Sequence, residues 1–174
     1  MRAPRIARAG LASGRMAVRY ASHFGICVSD PERSLRFYRD LLGFRETAAL
    51  AVSDAHSARL LELEKLDLRA TFLERDGMRL ELLHFASPGC ERDAAAPRPM
   101  NRTGLTHIAV RVDDLAATLA ALERAGVEIL EQTRIRNPEL RSEVVYVLDP
   151  DGVRIELVEL PGDPSTPLLS AISG

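Results

Sequence analysis

Four residues in this sequence have the types and spacing to hold a metal ion: His23, Glu81, His107 and Glu156. They come as two matching pairs. "SHFGICV" at 22–28 and "THIAVRV" at 106–112 each place a histidine after a hydroxyl residue at the head of an apolar strand. "DGMRLEL" at 76–82 and "DGVRIEL" at 151–157 each place a glutamate inside an apolar strand that follows a turn sequence. Strand side chains alternate faces with period two. Phe24, Ile26 and Val28 therefore share the face opposite His23, Gly25 and Cys27, and Ile108, Val110 and Val112 oppose His107, Ala109 and Arg111. Leu80 and Leu82 oppose Arg79, Glu81, Leu83 and Phe85, while Ile155 and Leu157 oppose Arg154, Glu156, Val158 and Leu160. The apolar sets suit packing under a helix, which leaves two imidazoles and two carboxylates on one inner surface. A buried carboxylate is costly unless it is paired or bound to metal. A divalent cation removes that cost, and mixed imidazole and carboxylate donors suit Ni, Co, Fe, Mn or Zn in octahedral coordination. The competing arrangement is a pair of His–Glu hydrogen bonds closing a metal-free cavity.

The elements that must position these residues are also repeated. "SHFGICVSDPERSLRFYRDLLGF" (22–44) and "THIAVRVDDLAATLAALERAGVE" (106–128) both run from a strand to an Asp able to cap a helix. Pro31 suits a first helical turn, Leu35, Tyr38 and Leu42 recur at helical spacing, and Gly43 supplies the stop. In the second copy Leu115, Leu119 and Leu122 form the stripe and Gly126 the stop. Strands are expected near 44–52, 68–75 and 78–85, then near 127–133, 142–148 and 153–160, with "RDG" and "DPDG" as hairpin turns. Residues 53–66 are an insertion with a short helix at "SARLLELEKL". The expectation is an α+β fold of two tandem βαβββ modules, forming a curved, partly enclosed sheet with helices on the outer faces. The boundaries are a disordered tail at 1–19, modules at 20–85 and 104–160, a Pro- and Ala-rich linker at 86–103, and an irregular tail at 161–174.

Composition excludes several classes. With 46% hydrophobic and 28% charged residues, the 174-residue chain reads as an ordinary globular protein. No apolar run approaches the roughly 20 residues needed to span a bilayer. Tryptophan is absent and the net charge is −2, which argues against nucleic-acid binding. The charge is uneven: Arg2, Arg5, Arg8, Arg15 and Arg19 stand in a leader without acids, so the remainder carries 18 basic against 25 acidic residues, a balance of −7. That leader overlaps in character with organelle transit peptides, or precedes a true start at Met16. Cys27 and Cys90 show neither metal spacing nor a disulfide framework, so a reducing cytoplasm is expected.

"SDPERSLRFYRDLLGF", "THIAVRVDDL" and "DPDGVRIELVEL" together resemble the vicinal oxygen chelate superfamily, which includes glyoxalase I, methylmalonyl-CoA epimerase, extradiol dioxygenases and bleomycin- and fosfomycin-resistance proteins. The resemblance covers about residues 20–160. It implies paired βαβββ modules, one divalent metal on His23, Glu81, His107 and Glu156, a small-molecule substrate and a homodimer. A carboxylate at Glu81 resembles glyoxalase I more than the three-ligand dioxygenases. The implied activity is that of a lyase, isomerase or epimerase acting on a small carbonyl or thioester through an enediolate, with Glu156 or Glu81 as base and the lean toward Glu156. An Fe(II) extradiol dioxygenase and a metal-free bleomycin-resistance-like binding protein are the alternatives. Arg79, Arg111 and Arg154 share inward parity and could grip an anionic substrate; otherwise each neutralises a nearby acid or reaches the sheet rim. Tyr146 and His56 are further pocket candidates.

Overall fold

The computed structural model describes residues 18–91 and 97–165. The leader at 1–17, including Met16, and the chain end from 166 lie outside the described residues. The first module runs β1 (Phe24–Cys27), α1 (Pro31–Leu35), a π-helical turn (Arg36–Leu41), β2 (Arg45–Val52), α2 (Ala55–Leu60), β3 (Asp67–Arg75) and β4 (Met78–Ser87). The second runs β5 (His107–Arg111), α3 (Leu115–Arg124), β6 (Ile129–Asn137), β7 (Ser142–Leu148) and β8 (Arg154–Glu159). Each module is a four-stranded mixed sheet, ordered β1-β4-β3-β2 and β5-β8-β7-β6. In each, the first strand pairs parallel with the last, and the remaining pairs are antiparallel. The fold is α+β, as the repeat implies, and the sheets do not close into a barrel.

The helix starts follow from their caps. Asp30 accepts from the Arg33 amide at 3.1 Å with Pro31 in the first turn, and Asp114 accepts from the Ala117 amide at 2.8 Å. Gly43 and Gly126 adopt φ of +71° and +77° after the helices, a conformation that costs other residues strain. Two helices differ from expectation. The first helix does not stay α-helical to Leu42: from Arg36 it widens into a π turn closed by the Leu42 amide on the Phe37 carbonyl at 3.0 Å. The extra residue in the turn lets adjacent Phe37 and Tyr38 both face inward, where both are buried. The insertion helix starts earlier than "SARLLELEKL" because Asp54 caps it through the His56 and Ser57 amides, and it stops at Leu60, two residues before Glu62 turns to a φ of +57°. Leu66 and Leu68 then fold back on Ala58 as a small second core.

The main core belongs to both modules. Leu35, Phe37, Tyr38, Leu80 and Leu82 of the first lie in one continuous apolar cluster with Leu115, Leu119, Ile155 and Leu157 of the second. Phe24, expected under the helix, is instead 54% exposed at the open start of β1. A polar clamp reinforces the junction. The Tyr38 hydroxyl donates to Asp149 Oδ2 at 2.8 Å, and Asp149 Oδ1 accepts from the Asp151 and Val153 amides. Ser29 donates its amide and hydroxyl to Asp151, and Arg33 reaches the Pro150 carbonyl at 3.2 Å. The "DPDG" turn is thus held by the first module as well as by its own backbone. Among the described residues no helix is long and apolar enough to cross a membrane.

Burial pushes the Asp149 carboxyl above the ordinary carboxylate range, against the hydrogen bonds it accepts. A group whose folded pKa is raised binds its proton more tightly when folded. Its contribution to stability is therefore full at low pH and is lost as pH rises from the unfolded pKa through the folded one. Asp149→Asn is expected to remove that decline. Asp149→Ala, which strands the Tyr38 hydroxyl and two backbone amides, should cost about 2–4 kcal/mol at pH 7. Urea unfolding across a pH series measures both.

Candidate metal centre

Glu81 and Glu156 sit at the same place in their two sheets. Glu81 lies on β4 with Gly25 of β1 on one side and Phe72 of β3 on the other. Glu156 lies on β8 between Ala109 of β5 and Tyr146 of β7. The residue beside each glutamate on the first strand is small, Gly25 and Ala109, and the histidine two positions earlier reaches across to the glutamate. His23 Nε2 lies 3.0 Å from Glu81 Oε2, and His107 Nε2 lies 3.3 Å from Glu156 Oε2. Each ring is steered from its other nitrogen, by Ser22 Oγ at His23 Nδ1 and Thr106 Oγ1 at His107 Nδ1, both at 2.9 Å. Each ring also meets an aromatic edge, His23 on Phe72 and His107 on Tyr146, with centroids 5.5 and 5.6 Å apart.

These pairs are only partly buried. The histidine side chains are 35% and 30% exposed and both glutamates 19%. The donor set fits a divalent cation. Two neighbouring donors each about 2.1 Å from one cation lie about 3.0 Å apart in an octahedron and about 3.4 Å apart in a tetrahedron, and both His–Glu separations fall in that interval. The hydroxyl on each Nδ1 is the kind of outer contact that orients a ligating imidazole.

The structure brings His23 to Glu81 and His107 to Glu156, but it does not bring the four together. Among the described residues, no three of His, Cys, Asp or Glu gather as a metal-binding group. The alternation explains why. The helix-side residues Leu80, Leu82, Ile155 and Leu157 all enter the one shared core, so both His–Glu faces are turned away from it.

The other candidates are engaged within the fold. Arg79 approaches Glu74 at 3.3 Å and lies over the Tyr20 ring, Arg111 donates to the Leu160 carbonyl at 2.6 Å, and Arg154 donates to the Arg98 carbonyl. His56 lies in α2, and His84 faces Arg69 across the β3–β4 ladder; neither joins a pair. Tyr146 does join one: its hydroxyl lies 3.2 Å from Glu156 Oε1. Burial, then the Glu156 charge, holds that phenol above its ordinary range, so it stays an O–H donor. Sequence reasoning missed the meeting of Cys27 with Cys90. Burial and the hydrogen bond to Cys90 push the Cys27 thiol up to about 11. No local spacing signals a contact between residues so far apart in the chain.

The chain that builds this duplicated sheet matches a known family. The sequence profile of the Glyoxalase/Bleomycin resistance protein/Dioxygenase superfamily covers residues 21–157. The chain belongs to that superfamily. It is 31% identical over 144 residues to protein YaeR of Escherichia coli (strain K12), an uncharacterized protein, across 83% of this chain and 98% of that one. It is 29% identical over 143 residues to the lactoylglutathione lyase of Haemophilus influenzae, across 79% and 90%. In architecture it is similar to a glyoxalase family protein of Bacillus cereus, with a TM-score of 0.74 at 19% identity over 87% of this chain and 99% of that one. Superfamily members commonly bind a divalent metal.

A partly exposed His–Glu contact adds little to stability. Without metal, Glu81→Gln and Glu156→Gln should each shift unfolding free energy by less than about 1 kcal/mol, measured by urea denaturation of chelator-treated protein.

Proposed function

We propose that this protein is a divalent-metal-dependent lyase, isomerase or epimerase of the glyoxalase I type, acting on a small carbonyl or thioester substrate. The observation that carries the reading is the duplicated pair, two imidazoles and two carboxylates in equivalent positions with their donor atoms 3.0 and 3.3 Å apart. A carboxylate in both modules favours this chemistry over the three-ligand dioxygenase pattern, and the likeness to a lactoylglutathione lyase supports it. The ion is one of Ni, Co, Zn, Mn or Fe.

The centre is completed between two copies of the chain. His23 and Glu81 of one copy would face His107 and Glu156 of a second, because both pairs lie on faces turned from the shared core. The edge strand β2 is exposed from Arg45 to Ala51, with Leu50 42% exposed, a surface suited to cover by another copy. Two such contacts related by a two-fold axis give a homodimer with two centres. Both cysteines are free, which accords with work in a reducing cytoplasm.

When bound, the cation supplies stabilisation for negative charge on two adjacent substrate oxygens. The chain's part is positioning and proton transfer. His23 and His107 are held in one orientation by their Nδ1 contacts. A glutamate oxygen takes the proton from the carbon beside the substrate carbonyl and returns it to the same or the neighbouring carbon, so no electrons are exchanged with a partner molecule.

Elemental analysis of gently purified protein should find close to one divalent ion per chain, lost in His23→Ala and in Glu156→Ala. Mixing those two variants should rebuild one intact centre in each mixed dimer and restore part of the bound metal. A wild type that refuses added Ni²⁺ and Co²⁺ refutes the metal-dependent reading, whereas metal binding without recovery on mixing refutes the sharing between copies.

A further inference from the structure

We propose that Cys27 and Cys90 are a paired modification site, two thiols that a small-molecule disulfide joins reversibly into a bridge between β1 and the start of the inter-module linker. The site stands apart from the proposed metal centre and does not depend on it. The first sheet separates the two residues in sequence, and only the fold brings them together. Cys27 ends β1, where the ladder sets it beside Leu83 of β4, and the next amide, that of Val28, donates to the Leu83 carbonyl at 2.9 Å. From the other side, β4 ends at Ser87 and the chain turns through Gly89, at a φ of +104°. That turn carries Cys90 back to the end of β1, where its thiol donates to the Val28 carbonyl at 3.1 Å. The same thiol meets the Cys27 side chain as a hydrogen-bond partner.

Buried cysteines usually serve as small apolar fillers and are inert. This pair is placed differently. Cys27 is exposed as a residue and Cys90 only half-buried, and both line an open cavity of about 1010 Å³ at the junction of the modules. An oxidant can therefore reach thiols that already touch. Bringing the sulfurs to a bonding distance of about 2.05 Å takes side-chain rotation, with both backbones left in place. One thiol loses its proton and attacks the small disulfide, forming a mixed disulfide and releasing one small thiol. The second thiol loses its proton and attacks the protein sulfur of that bond. The Cys27–Cys90 bond forms as the second small thiol leaves, so two protein sulfurs are oxidised and two small-molecule sulfurs reduced. Both residues are free thiols at rest, and the hold on the Cys27 proton slows closure at neutral pH and lets it quicken as pH rises. A bridge of this kind in a reducing compartment responds to oxidant and does not serve as a permanent staple.

The test treats the full chain with excess bis(2-hydroxyethyl) disulfide, removes the reagent and measures intact mass and peptide linkage. Wild type should lose two hydrogens as a single chain, with the Cys27 and Cys90 peptides joined and separated again by dithiothreitol. Closure should raise the urea midpoint by about 1–2 M, because the bridge encloses the first sheet in one loop. Cys27→Ser and Cys90→Ser should each stop at one mixed disulfide without that rise. Wild type left unmodified, carrying two separate mixed disulfides, or linked between chains overturns the proposal. So does an equal rise in midpoint in either single variant. The mass of wild type decides the question even where a variant fails to fold.

Discussion

The two-residue alternation along β4 and β8 governs most of what this molecule can do. Leu80 and Leu82 point to the helix side, as do Ile155 and Leu157, and all four are buried in one cluster. Burying such side chains contributes about 1.5–3 kcal/mol each, so a one-residue slip of either strand would be strongly disfavoured. The same alternation then leaves Glu81 and Glu156 no choice of face. The apolar residues fix the register, and the register delivers the carboxylates beside His23 and His107. Function here depends on packing through geometry, since the residues of the pairs add little to stability.

Much of this was readable because it is local. Caps at Asp30 and Asp114, stops at Gly43 and Gly126, and alternation in six-residue windows all act over short stretches of chain. The repeat multiplied the signal, since an isolated His or Glu in a strand would have meant little. The parts that escaped depend on distant partners. Tyr38 meets Asp149 across 111 positions, and Ser29 meets Asp151 across 122. Asp149 reads locally as a turn residue; its second role as a buried acceptor exists only once the modules pack. The π turn likewise reflects a tertiary demand, the burial of both Phe37 and Tyr38, that helical periodicity alone cannot express. Parity placed all four donor residues on inner faces but could not say which inner faces meet.

That last question has a physical answer in the shared core. Two βαβββ modules can bury their helix-side surfaces against each other, or they can leave them on opposite sides of an enclosed trough. This chain takes the first course, with Tyr38 and Asp149 clamping the junction. A consequence is that the two His–Glu faces do not meet within one chain. Two donors on an open sheet form a weak site for a divalent ion, and four donors form a strong one. Under the proposed function, metal binding and association of copies would be thermodynamically linked, because whatever binds only the assembled state stabilises it.

Duplication also leaves the two pairs alike in backbone and different in detail. The register repeats so closely that Gly25 matches Ala109 and Phe72 matches Tyr146 around equivalent glutamates, and Ser22 and Thr106 make the same Nδ1 contact. Changing the backbone of one module would disturb the core that sets both registers. A phenol in place of a phenyl changes neither volume nor register appreciably, and it adds a single donor at Glu156 Oε1. Differences between the halves therefore enter through side chains one strand away from the pairs, and position 146 is where this chain has one.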